Sequence, residues 1–124
     1  MEPVLLQKGE ILFRDGDSGE LLYVVSRGEL AVIKEVDGEE RELARLPAGS
    51  FVGELSMLNG EPRSATVAAR TACLLRVYDE TSFEELLNSN PSVAIRLVYE
   101  LASRLQRSND MLAQLRSQLE RDEP

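Results

Sequence analysis

From Ile11 to Tyr78 apolar and polar residues alternate in short runs, punctuated by glycine, proline, asparagine and aspartate. A two-residue period puts successive side chains on opposite faces, so each run predicts a half-buried strand. The predicted strands are Ile11–Arg14, Leu21–Arg27, Glu29–Val36, Glu40–Leu46, Ser64–Ala69 and Ala72–Tyr78, with Asp37-Gly38 as a hairpin turn. Strands this short and this regularly spaced predict antiparallel pairing in a β-sandwich or barrel.

After Tyr78 the period changes. Asp79 or Thr81 can cap a helix whose capping box is completed by Glu84 or Glu85, with Phe83, Leu86 and Leu87 on its apolar face. Asn90-Pro91 then starts a second helix, with proline at the first helical position. From Pro91 to about Glu120 no glycine or proline interrupts it. Ala94, Val98, Leu101, Leu105, Ser108, Leu112, Leu115 and Leu119 recur at spacings of four and three, which is a heptad seam. A helix of about 30 residues runs roughly 45 Å, more than a small domain covers, so the seam predicts a two-fold homodimer. The competing reading packs the stripe on the chain's own β-domain. The fold class expected is mainly β with C-terminal helices (α+β).

Composition narrows the functions open to such a fold. At 124 residues the chain holds one domain with a proper core. A net charge of −8 argues against binding nucleic acid or an anionic membrane, since both require clustered positive potential. With no histidine there is no Ser-His-Asp triad, no His-Glu-x-x-His zinc site and no imidazole base, so an enzyme is not expected. No metal site is expected either. Asp15, Asp17 and Glu20 resemble a calcium loop only loosely, and their alternation with Gly16 and Gly19 is better explained as a turn. Cys73 is the only cysteine, which rules out an intrachain disulfide and, without a signal-like N-terminus, suggests the cytoplasm. It lies in an apolar strand, where a small buried sulfur is the expected role.

The segment from Phe51 to Val67 carries the chemistry. Gly53 permits close approach of a ligand to the backbone, and Glu54 to Leu58 are short, helix-compatible and stopped by Asn59-Gly60. The amides opening a one-turn helix favour an anion. Arg63 matches the spacing of phosphate oxygens, the Ser64 hydroxyl is a donor, and the Ser64 and Ala65 amides can complete a cradle. Glu54 would repel phosphate, so its use is to accept hydrogen bonds from a sugar hydroxyl. Sugar and phosphate together imply a nucleotide. Taken singly, the same residues are turn formers, a cap and a solvated arginine.

In this order the residues resemble the phosphate-binding cassette of the cyclic nucleotide-binding domain family, whose pattern runs Phe-Gly-Glu-Leu, a short helix, then Pro-Arg-Ser/Ala-Ala-Thr-Val. The chain has Phe51-Val-Gly-Glu-Leu55 and Pro62-Arg-Ser-Ala-Thr-Val67. The inserted Val52 is similar to the bacterial cyclic-AMP receptor branch. Lys8 to Asp17 and Leu22 to Gly28 resemble the family's opening strands and turns. The resemblance implies an antiparallel β-roll of jelly-roll type over residues 1–90, with its cassette at 51–67 and a helix over 91–124 in the same domain. It implies cyclic AMP as ligand, with cyclic GMP as the alternative because Ser64 could serve a guanine amino group. Glu54 would bind the ribose 2′-hydroxyl and Arg63 the cyclic phosphate, beside Gly53, Leu55, Ser64 and Ala65. Val32 and Leu43 read as core by periodicity, and the resemblance puts them beside base and ribose. No cofactor is implied beyond the nucleotide.

Ser108 and Asn109 interrupt the apolar seam. A polar seam residue can set register. Comparison with the receptor branch, anchored on Asn90-Pro91 and Arg104-Leu105-Gln106, instead puts the pair where a threonine and a serine contact adenine. Arg104 is then a candidate partner for Glu54 or the phosphate, or an ordinary exposed arginine. Transcription factors of the family continue into a helix-turn-helix domain, whereas this sequence ends in Arg121-Asp-Glu-Pro124. The expectation is a regulatory sensor domain without its DNA-binding domain. A domain of the same fold that dimerises without nucleotide is the alternative, and retention of Glu54 and Arg63 argues against it.

Overall fold

The computed structural model describes residues 1–122; Glu123 and Pro124, the end of the polar run, lie outside the described residues. The chain divides into two compact units, Met1–Glu84 and Glu85 onward.

The first unit is built from β1 (Val4–Leu6), β2 (Ile11–Phe13), β3 (Leu22–Arg27), β4 (Leu30–Val36), β5 (Glu39–Leu46), β6 (Phe51–Val52), α1 (Glu54–Asn59), β7 (Thr66–Ala69) and β8 (Cys73–Tyr78). Two four-stranded antiparallel sheets form, in the orders β1-β8-β3-β6 and β2-β7-β4-β5. All six predicted strands are present with shifted ends. β1 and β6 were not predicted, because three and two residues are too few to display a period.

The β4–β5 hairpin turns at Asp37 (φ 53°) and Gly38 (φ 81°). Two consecutive positive φ values make the type I′ turn that suits strand twist. Its register, Val32 opposite Ala44 and Ile33 opposite Glu42, leaves Leu43 as an extra residue. That is a β-bulge, and it re-aims the strand locally.

The sheets share a core of Leu6, Val25, Leu30, Val52, Val67, Ala69, Cys73 and Leu75. Truncating one of the larger ones, Leu75→Ala for example, would cost about 2–5 kcal/mol. Cys73 is buried as expected, its thiol donating to the Glu29 carbonyl at 3.3 Å and the Thr71 carbonyl at 3.2 Å. Arg70 closes the strand ends by pairing with Glu29 at 2.8 Å and Glu42 at 2.7 Å.

α2 (Glu80–Ser89) follows β8 directly. Its capping box differs from the expectation. Asp79 is the cap, accepting the Ser82 N–H at 2.7 Å, and Ser82 Oγ accepts the Asp79 N–H at 2.9 Å. With Asp79 as cap the third helical position is Ser82, so neither Glu84 nor Glu85 can close the box. Phe83 packs edge-on against Phe51 at 6.5 Å and Tyr78 at 6.0 Å.

The second unit is dominated by α3, Pro91–Asp122, 32 residues and so about 48 Å long. Asn90 starts it by accepting the Ser92 hydroxyl at 2.6 Å and the Val93 N–H at 3.0 Å. Val93 and Leu97 are buried, whereas the seam from Val98 onward is largely exposed: Leu105 is 63%, Leu112 64% and Leu119 68% accessible. Among the described residues no helix is long and apolar enough to cross a membrane.

Candidate functional site

The cassette runs from β6 through α1 into β7. Its helix is inverted: Glu54 and Ser56 are buried, while Leu55 and Leu58 are exposed. Burying a carboxylate and exposing leucine on one short helix reverses the usual partition of polar and apolar side chains. Gly53 caps α1 at φ 87°, and Gly60 ends it at φ 72°. The left-handed conformation at Gly53 excludes other residues cheaply, and so does space. A Cβ there would meet Arg63 Nη1 and, at 2.8 Å, the Leu21 carbonyl.

Arg63 is the centre of the site. It is only 5% exposed, although it follows the turn-forming Gly60-Glu-Pro62. Its Nη2 donates to the Leu21 carbonyl at 2.9 Å and its Nη1 to the Gly53 carbonyl at 3.3 Å. The guanidinium carbon lies 4.3 Å from the centre of the Phe13 ring, a cation–π contact. Main-chain bonds hold the arginine from behind, Arg63 N–H to the Asp17 carbonyl and Gly16 N–H to the Arg63 carbonyl, both 2.8 Å. Burial lowers its pKa, and Tyr23 and Asp17 work in the opposite direction. Arginine keeps its charge despite such a shift. Among the described residues no carboxylate ion-pairs with it. The buried cation therefore rests directly on carbonyl dipoles and an aromatic face, with the Asp17 carboxylate acting on it without a direct ion pair.

Several members of this environment were missed from sequence. Phe13 and Leu21 read as strand residues and Gly19 as a turn former. Gly19 is needed for a different reason: a Cβ there would stand 2.7 Å from Arg63 Nη2. The available signal was a pair of glycines, Gly16 and Gly19, more than a simple turn requires.

The remaining expected residues fall into two groups. Gly53, Glu54, Leu55, Arg63, Ser64 and Ala65 come together on the cassette, with Ala65 buried and Ser64 exposed. Val32 packs partly buried against the core, and Leu43 at the bulge is 57% exposed. Ser108 and Asn109 belong to α3 in the second unit, where both are exposed. Arg104 is half-buried and pairs with Glu100 one turn earlier at 2.7 Å, so it is not an ordinary exposed arginine. Burial lowers its pKa, with Arg107 acting in the same direction. A cavity of about 630 Å³ lined by Arg27, Arg76, Tyr78 and Ser82 contains no cassette residue.

Fold and cassette together define a β-roll module with a sheltered cation. The chain belongs to the cyclic nucleotide-binding domain family, whose profile matches residues 3–90. It is 37% identical over 106 residues to the cAMP-activated global transcriptional regulator CRP of Salmonella typhimurium, covering 84% of this chain and 50% of that protein. The crystal structure of Thermus thermophilus catabolite activator protein superposes with a TM-score of 0.80 at 32% identity, over 92% of this chain and 54% of the other. The regulatory domain of Toxoplasma gondii PKA, crystallised with cAMP, gives a TM-score of 0.63 at 38% identity, over 68% of this chain and 32% of the other. The chain thus spans about half the length of the curated relatives it matches.

Proposed function

We propose that the protein is a cyclic AMP sensor module that binds its ligand at the cassette and transmits the signal through α3. The observation that carries this reading is Arg63: a buried guanidinium held by carbonyls and ion-paired with no carboxylate among the described residues. Such a group gains most from an anion that completes its charge balance. Relatives named for cAMP activation or crystallised with cAMP support the choice of anion.

In this reading Arg63 and the Ser64 and Ala65 amides receive the cyclic phosphate, beside Gly53. Glu54 accepts from the ribose 2′-hydroxyl. Val32, Leu43 and Leu55 supply apolar surface, Leu43 and Leu55 being exposed. Ser108 and Asn109 read the base. The exposed seam through Leu105, Leu112, Leu115 and Leu119 pairs with its copy in a homodimer, because a monomer would leave those leucines in water. Ligand then shifts the population of helix arrangements. Reversing a strongly biased two-state equilibrium takes about 5 kcal/mol of differential affinity.

A binding module of this kind needs no catalytic groups, and the chain is proposed to act without turnover. The simplest test is thermal melting with cyclic AMP and cyclic GMP. A melting temperature that rises with nucleotide concentration is expected, by an amount that follows ligand excess over Kd. A larger shift with cyclic GMP would reassign the base, and no shift with either at millimolar concentration would refute the reading.

A further inference from the structure

Lys34 has no part in the site described so far. Alternation along β4 puts it on the face of Leu30 and Val32, which pack in the core of the first unit. A lysine continuing an apolar face calls for an explanation. Its Nζ donates to the Ser64 carbonyl at 2.9 Å and lies 3.8 Å from Asp15 Oδ2. The Asp15 N–H in turn donates to Thr66 Oγ1 at 3.0 Å. Lys34 thus ties the β2–β3 loop, β4 and the cassette's C-terminal arm together.

The carbonyl it holds matters because of peptide geometry. In a trans peptide the C=O of Ser64 and the N–H of Ala65 point in opposite directions. Fixing one fixes the other. We propose that Lys34 is a positioning residue of the anion site: it turns the Ser64–Ala65 peptide so that the Ala65 amide is presented to the phosphate, and it adds a second positive charge behind the cassette. Asp15 is its counter-charge. Lysine and aspartate are both about half exposed, 45% and 46%, so the contact is a loose one that an arriving phosphate can weaken. This inference rests on the proposed cyclic nucleotide reading.

The test is titration of the full chain with cyclic AMP at low and high salt, for wild type, Lys34→Met, Lys34→Arg and Asp15→Asn. Lys34→Met should weaken binding about tenfold and flatten its salt dependence, whereas Lys34→Arg, which can still donate to the carbonyl, should come within about threefold of wild type. Asp15→Asn keeps its backbone donor and loses only charge, so about twofold tighter binding is expected. If Lys34→Met does not fold, the Asp15→Asn arm and the lysine-to-arginine pair decide the matter. Wild-type affinity in Lys34→Met, a Lys34→Arg variant much weaker than wild type, or weaker binding by Asp15→Asn would each overturn the proposal while leaving the nucleotide reading intact. Absence of binding by wild type would remove both.

Discussion

The cassette and α3 treat their most consequential side chains in opposite ways. In the cassette a charged group, Arg63, is withdrawn from water and held on two carbonyls and a phenylalanine face, while leucines of α1 stay outside. Along α3 the exposed side chains include the leucine seam, with Leu105, Leu112, Leu115 and Leu119 all accessible. One region buries a cation that forms no ion pair among the described residues; the other exposes a row of leucines. In the proposed function the two regions take different partners, a small anion at the cassette, held by local electrostatics, and a second helix along the seam, held by extended apolar contact.

The electrostatic half of the contrast is broken most severely at Arg63. Arg63→Ala should lose about 2–4 kcal/mol of cyclic AMP affinity, since in the proposed site the truncated charge would meet phosphate away from bulk water. A loss below about 1 kcal/mol would mean a solvent-screened arginine instead. The hydrophobic half is broken at the seam. Leu105→Glu with Leu112→Glu should convert a dimer to monomer in sedimentation experiments by facing charge against charge, weakening association by at least about 3 kcal/mol. A wild type that sediments as monomer would contradict the dimer.

Smaller changes sharpen the comparison. Gly53→Ala combines a left-handed backbone with a collision against Arg63 and Leu21, whereas Gly38→Ala is left-handed in open space. Urea denaturation should show about 1–3 kcal/mol lost at Gly53 and about 1 kcal/mol at Gly38, with nucleotide binding impaired only by the former. The smallest effect expected is at Asp79. The Ser82 backbone N–H, then the Ser82 hydroxyl, lowers the Asp79 pKa. A depressed folded pKa stabilises the protein above the unfolded carboxylate value of about 4 and loses that contribution as pH falls through the folded value. Asp79→Ala should therefore lower the melting temperature at neutral pH and flatten its decline in acid.

Much of this was legible in sequence because the signals are local. Alternation disclosed six strands, Asp37-Gly38 its turn, and Asn90-Pro91 the start of α3. The cassette was legible as a motif, Gly53-Glu54 and Arg63-Ser64 standing at a set spacing. What was not legible depends on contacts distant in the chain. Phe13 and Leu21 touch Arg63 across about 50 and 42 residues, and Gly19 is small for the sake of that same guanidinium. No periodicity encodes such a meeting. Lys34 was hidden differently: its neighbours define an apolar face, and only the structure reveals that the face ends on the Ser64 carbonyl.

In the proposed function the sheltered Arg63 is the anion-receiving group of a cyclic nucleotide site. Calorimetric titration of the wild-type chain with cyclic AMP, with Arg63→Ala in parallel, tests it directly. One nucleotide bound per chain, with affinity lost in the variant, is the predicted result. No heat of binding at millimolar nucleotide, or equal affinity in wild type and Arg63→Ala, would contradict it.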